Sequence, residues 1–412
     1  MLQIQSPRLK PVSPHPILNM GFRIFFVSAT IFAIITMLLW MLVFMGKLSL
    51  GGTLFQPFYW HAHEMLYGYT LAVIAGFLLT AVQTWTGVTM PYGYHLLGIF
   101  AGWAGARLLW ALTAFNFSHE VTVLLLSLAF IADMIFMVWM AFIITRAVLK
   151  AKQKRQAGIV AKILLLTVGN ALCYIAILTQ NINLNRIAVY LGFYLIIGLV
   201  LTIGRRVMPF FIQKGLSYGQ STEVTVKNSN SLDILSLAFF LMFFIADVFL
   251  PNPILLSFAA LSTALVNLLR LAGWYHPGIW KKPLLWSLYT AFLGMCAGFV
   301  LYALQAWGIG THSLAVHALA ISGIGMMTVA MMTRVALGHT GRNIHQPPKT
   351  VVWMYFMLLI AFVARVLLPV FDMHSYILWL MIALTAWLFC FILFIISYIP
   401  ILANERVDGH FG

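Results

Sequence analysis

The sequence predicts an all-α polytopic membrane protein of about 12 transmembrane helices, and three observations predict it. Of 412 residues, 62% are hydrophobic and only 8% charged, against roughly 25% charged in an ordinary soluble domain. Apolar runs of about 20 residues, enough to span a hydrocarbon core of about 30 Å, recur along the whole chain. The basic excess, a formal charge of +15, sorts by side once alternate loops are placed on opposite faces of a membrane. An ordinary soluble enzyme is thereby excluded. A nucleic-acid partner is excluded too, because the positive charge reports orientation.

The chain opens on an irregular polar arm, residues 1–21, with Pro7, Pro11, Pro14 and Pro16 among Arg8 and Lys10. It lacks the pattern of a signal peptide and reads as a cytoplasmic arm. The apolar runs follow at 22–45, 60–84, 94–114, 120–146, 160–180, 184–209, 231–250, 253–274, 283–306, 312–337, 350–370 and 375–400. With the N-terminus inside, 19 of the 24 lysines and arginines fall on the inner side, among them the cluster from Arg146 to Lys162. Only Lys47 and Arg186 fall outside, while Arg107, Arg270 and Arg365 lie within spans. This bias supports both the helix count and the orientation, and it places the tail, 401–412, in the cytoplasm. The longest loop, Phe210 to Asn230, is short and polar, so residues 1–412 read as a single transmembrane domain. The protein is expected to be a multi-pass membrane component. Cys173, Cys296 and Cys390 each sit in an apolar run without a partner at metal-ligand spacing and read as small core residues.

Matching six-helix halves are not visible. A unit of four helices used three times is suggested instead. Gly76-Phe77-Leu78-Leu79-Thr80 in span 2 resembles Gly198-Leu199-Val200-Leu201-Thr202 in span 6 and Gly325-Met326-Met327-Thr328 in span 10. His63 precedes Thr86-Gly87 by the same distance that His317 precedes Thr340-Gly341.

The residues that a membrane should exclude lie mainly on spans 2 and 10. Span 2 opens Trp60-His61-Ala62-His63-Glu64. Two imidazoles and a carboxylate at a membrane boundary need partners. Helical residues two apart point about 200° apart, so His61 and His63 serve two sites, or one ligates while the other supports. Glu64 can orient an imidazole, and Trp60 belongs to the same belt. In span 10, His317 and His339 are 22 residues apart, about 33 Å along a helix, and cannot share a metal. Arg334, Arg342 and His345 accompany His339. Gly323 and Gly325 leave a flat face, where either a neighbouring helix or a planar cofactor can pack. The methionines of span 10 read as apolar filler. Arg205 and Arg206 close span 6, either as topology anchors or as holders of haem propionates or lipid phosphate. Arg107 with Asp133, and Arg365 with Asp247 or Asp372, are pairs of compatible depth.

The segments Trp60-His61-Ala62-His63-Glu64-Met65, Trp85-Thr86-Gly87, Gly204-Arg205-Arg206-Val207-Met208-Pro209, His317-Ala318-Leu319 and Met332-Thr333-Arg334 through His339-Thr340-Gly341-Arg342 resemble the hallmark segments of the NnrS family. The likeness runs over nearly the whole chain. It implies an inner-membrane protein containing haem, b-type, and copper, tied to nitric oxide metabolism and nitrosative-stress resistance. It implies metal-binding roles for His61, His63, His317 and His339, with Arg205, Arg206, Arg334 and Arg342 as cofactor-binding cations and Trp60, Glu64 and His345 in support. Nitric oxide is then the small-molecule partner, beside the lipid bilayer and a quinol or electron-transfer partner. Haem–copper oxidases and nitric oxide reductases also arrange 12 helices as four-helix units, which is an analogy of fold. The expected function is binding of nitric oxide, with a reductase-like step open. Two rival readings stand beside it: a transporter or sensor without redox chemistry that uses the buried Arg and Asp residues, and a haem electron-transfer partner of a respiratory complex.

Overall fold

The computed structural model describes residues 15–49, 54–115, 117–221 and 223–412; residues 1–14 of the arm lie outside the described residues. Among the described residues there is no strand. Twelve helices among the described residues are long and apolar enough to cross a membrane. They are span 1 (Gly21–Phe44), span 2 (Pro57–Thr86), span 3 (Gly93–Phe115), span 4 (His119–Lys150), span 5 (Lys154–Leu178) and span 6 (Ile182–Ser217). They continue as span 7 (Asn230–Phe249), span 8 (Pro253–Gly273), span 9 (Pro283–Trp307), span 10 (His312–His339), span 11 (Thr350–Phe371) and span 12 (Tyr376–Ala403). The apolar side chains on their outer faces, such as Ile131, Val138 and Phe142 of span 4, are exposed, as a lipid-facing surface requires. All three cysteines are buried and unpaired, as expected of small core residues.

Helix bounds match the hydropathy runs within a few residues, with one clear departure. Span 6 continues through Pro209 to Ser217, so the first part of the loop expected from Phe210 is helix. Met208, Ile212 and Leu216 recur every fourth residue and are buried, and that stripe holds the helix together beyond the proline. At 36 residues the helix is about 54 Å long and outreaches a hydrocarbon core.

Spans 2 and 10 are the most enclosed, with 83% and 78% of their apolar windows buried against 28% for span 1. Both are also broken in the same way. Span 2 passes from α-helix at Pro57–His63 into a π-helical stretch, Glu64–Thr70, and back to α-helix at Leu71–Thr86. Span 10 does so at His312–Ala318, Leu319–Met326 and Met327–His339. Each π stretch begins within two residues of a histidine, and each span is followed by a glycine of positive φ, Gly87 at 70° and Gly341 at 74°. The likeness of these two spans thus extends from sequence to backbone. Span 6 is helical without a break.

The chain divides into two compact units. One comprises Met1–Leu195, Val335–Arg342 and Ile395–Gly412; the other comprises Ile196–Arg334 and Asn343–Phe394.

In the first unit, span 1 is keyed to span 2 by small residues. A Cβ on Gly76 would lie 2.9 Å from the Phe26 ring, and one on Gly21 would lie 2.7 Å from Leu79 Cβ. Thr80 Oγ1 accepts the Phe22 amide, one of the otherwise unpaired donors at the start of span 1. The Gly76 to Thr80 segment therefore has a packing role. At the same end Arg23, fully buried, donates to the carbonyls of Leu402, Asn404 and Gly412. It caps the carbonyl-rich end of span 12, so the start of span 1 and the end of span 12 lie together.

Tyr67, in the π stretch of span 2, is wedged against two glycines. Its hydroxyl would lie 2.7 Å from a Cβ on Gly169 of span 5 and 2.3 Å from one on Gly192 of span 6. Replacing Gly192 by Val is expected to cost about 1–3 kcal/mol through overpacking. The cost reads out as a lower unfolding temperature in detergent, and Tyr67→Leu in the same chain should recover part of it.

In the second unit, Gly294 and Gly298 of span 9, one turn apart, admit the π stretch of span 10. A Cβ at either would fall 2.6 Å from Ser322 or 2.7 Å from Leu319. The flat face of span 10 is covered by protein side chains: Trp387 lies against Gly325, and Met295 and Ile197 against Gly323. Of the two occupants considered for that face, a neighbouring helix is the one observed.

Candidate functional site

The densest buried polar chemistry is a chain of side chains in the first unit. The π turn places His63 and Glu64, both 1% exposed, side by side on the inner face of span 2. His63 Nδ1 lies 2.8 Å from Glu64 Oε1. Glu64 Oε2 lies 3.3 Å from Arg107 Nε. Arg107 Nη2 is hydrogen-bonded to Asp133, and Asp133 accepts the Tyr174 hydroxyl at 2.8 Å. The Tyr174 oxygen in turn accepts the Trp110 indole N–H at 2.8 Å. The expected pairing of Arg107 with Asp133 is thus observed. Gly68 is required beside Glu64, because a Cβ there would meet Phe32 at 2.3 Å and Glu64 Oε2 at 2.9 Å. The π geometry also leaves carbonyls to satisfy: the Trp103 indole donates to Gly68 O and the Thr70 hydroxyl to Met65 O. Above the chain, Leu54, Phe55, Trp60, Leu126 and Ile177 form an apolar cluster around Trp110 and Tyr174.

His63 Nε2 faces Asn170 Oδ1 at 2.8 Å, while Asn170 Nδ2 donates to Met137 Sδ. With the amide so oriented, both ring nitrogens face protein acceptors. Arg107 lies between the Glu64 and Asp133 carboxylates, the kind of pairing that an ionic group inside a membrane needs. A metal on His63 would have to displace Glu64 or Asn170. His61, half-buried, turns away and stacks on Trp40, with ring centroids 4.4 Å apart.

His317, in the second unit, is held differently. Its Nδ1 lies 2.7 Å from the Ser313 carbonyl oxygen, which can only accept, so Nδ1 carries the proton and Nε2 the lone pair. Arg365 Nη2 donates to Ser313 Oγ and stands 3.3 Å from the same Nδ1, and the guanidinium lies over the Tyr376 ring. These contacts stand where a pairing with Asp247 or Asp372 was expected. Asp247 lies 3.8 Å from His312 Nδ1.

His339 returns to the first unit. It is 8% exposed, its ring centroid is 5.7 Å from that of Phe22, and its Nδ1 is buried without a hydrogen-bond partner among the described residues. Its carbonyl accepts from Arg406, which also pairs with Asp408. Arg342, half-buried, belongs to this unit, whereas Arg334 and His345 belong to the second. Arg205 and Arg206 are half-buried in span 6 of the second unit.

Sequence reading passed over a second ionic cluster. Arg270 pairs with Asp233 at 3.0 Å, bonds Ser236 and Asn267, and lies over the Trp274 and Phe292 rings. Arg270 was legible as an intramembrane charge, but Asp233 sits in the first turn of span 7 and did not stand out. Among the described residues, no group of three or more His, Cys, Asp or Glu side chains is placed to hold one metal ion.

A twelve-span membrane protein with paired intramembrane charges, and histidines beside π breaks in its two most enclosed helices, is the class that the fold and sites define. The model of the NnrS protein family matches residues 16–406, and the chain belongs to that family, which is linked to nitric oxide and the nitrosative-stress response. No curated protein matches the sequence.

Proposed function

We propose that the chain is a haem-binding inner-membrane protein, with cytoplasmic termini, that binds nitric oxide, and that His317 is its principal ligand. One observation carries the reading. The Ser313 carbonyl fixes the His317 tautomer with Nε2 as the lone-pair nitrogen, which is how ligating histidines are commonly oriented. His339, about 33 Å from His317 along span 10, would serve a separate site: its buried Nδ1, without a hydrogen-bond partner among the described residues, would gain one on ligation. Haem iron bound by imidazole supplies a site for nitric oxide. Copper held by three protein ligands has no such group among the described residues, so haem takes precedence here and copper is left to His61 or His339 with fewer protein ligands. The charge chain from His63 to Asp133 serves as the scaffold of the first unit, since each of its members has a protein partner.

The test is spectroscopic. Protein purified from haem-replete cells should show a Soret band that nitric oxide shifts, with copper counted by metal analysis. A colourless, iron-free preparation would overturn the reading. A haem spectrum unmoved by nitric oxide would favour an electron-transfer role.

A further inference from the structure

A second kind of site lies in the second unit, at the ends of spans 6, 9 and 10. Arg334, Lys282 and His345 line one small cavity, open to solvent, together with Gly215, Leu285 and Pro347. Its lining contains no carboxylate. Arg334 is 7% exposed, yet its guanidinium has no carboxylate or hydrogen-bond partner among the described residues. It is held face-on over the Phe211 ring at 3.7 Å. Stacking fixes the plane of a guanidinium while leaving its N–H edge to bind. A topology anchor would instead reach outward to water.

The other groups point the same way. Lys282 is tethered through Nζ to the Gly215 carbonyl at 2.5 Å and precedes the first turn of span 9, whose Leu284 and Leu285 also line the cavity. The positive end of that helix dipole therefore opens on it. His345 stacks on Tyr218 at 3.6 Å. Burial and the cations of Lys282 and Arg334 push it down to about 4, so the ring is neutral at pH 7 and offers a hydrogen bond without adding charge. What remains is a pocket with two fixed positive charges, a helix N-terminus and no counter-ion of its own, at the end of membrane spans where lipid phosphates lie.

We propose that this cavity binds a phosphate group, with the Arg334 guanidinium as the buried fork and Lys282 as the second charge. A phosphate takes both cations and the helix terminus at once. The phosphate comes either from a phospholipid head group or from a free ion. The proposal does not depend on the haem reading.

The test uses the full chain, purified in a neutral detergent and stripped of lipid. Binding and thermal stabilisation are measured with inorganic phosphate against chloride at equal ionic strength, and with short-chain phosphatidic acid against diacylglycerol. Wild type should bind and be stabilised by a phosphate-bearing probe. Arg334→Gln should bind it about tenfold more weakly, and Lys282→Gln should also weaken it. Lys349→Gln, a change at an exposed lysine, should leave binding unaltered. Stabilisation by inorganic phosphate identifies the free ion as a ligand; stabilisation by phosphatidic acid alone identifies the lipid. If Arg334→Gln does not fold, Arg334→Lys and Lys282→Gln carry the test. The proposal fails if neither probe binds wild type, or if binding survives these substitutions unchanged. It also fails if Arg334→Gln loses haem while phosphate binding stays at the wild-type level, since Arg334 would then serve the cofactor.

Discussion

Asp133→Asn should be the most destabilising conservative change in the first unit, lowering stability by about 3–5 kcal/mol, the usual loss when one partner of a buried ion pair is removed. The side chain is fully buried and is shared by Arg107 and the Tyr174 hydroxyl. An amide of the same shape keeps the packing, so the loss isolates charge. It removes the carboxylate to which Arg107 is hydrogen-bonded, in a region that the apolar cluster around Trp110 shields from water. Thermal unfolding in detergent, followed by retention on a sizing column, measures it. Arg107→Gln alone should cost a similar amount by stranding Asp133 and Glu64. The double variant should cost clearly less than the two losses added together, because contacting members of one network are not additive. Strict additivity would mean that the chain is not a coupled network. An Asp233→Asn variant gives the matching experiment in the second unit, where Arg270 is also held by Asn267, Ser236 and two aromatic rings and should be more tolerant.

How much of this was legible depends on the physics behind each feature. The twelve spans were legible because lipid imposes a long apolar run on every helix that crosses it, and the observed bounds follow those runs closely. Arg107 with Asp133 was legible because a charge in mid-span needs a partner at its own depth. The join from Arg107 to His63 was not. It depends on the π stretch from Glu64 to Thr70, whose wider turns re-phase the helix so that adjacent residues share the inner face, and no residue pattern announces that extra turn. Asn170 and Tyr174 were missed because a single polar side chain in an apolar run looks like filler until its partner is seen. Gly294 and Gly298 had the right spacing to read as a close helix contact, but only the approach of Leu319 and Ser322 gives the spacing a meaning.

The second large effect separates the histidines of spans 2 and 10. His317→Ala should abolish most haem binding while costing the fold less than a change in the buried ionic chain, because the side chain is only half-buried and its Nδ1 is held by the Ser313 carbonyl beside the Arg365 guanidinium. His63→Gln should do the reverse. Glu64 and Asn170 each lose a buried donor, at about 1–3 kcal/mol for a stranded group, while haem occupancy stays near that of wild type. Haem per polypeptide, taken from the Soret band against protein concentration, and unfolding temperature are read on the same preparations. Each variant should lower one readout and leave the other near its wild-type value. The expectation follows from hydrogen-bond valence: an imidazole with both nitrogens facing protein acceptors has no lone pair to give a metal, whereas one whose Nδ1–H is tied to a carbonyl keeps Nε2 as a ligand. Loss of haem in His63→Gln with an unchanged unfolding temperature would place the metal on span 2. Glu64 would then become the group that orients the ligand, and the ionic chain behind it would become the ligand's electrostatic support.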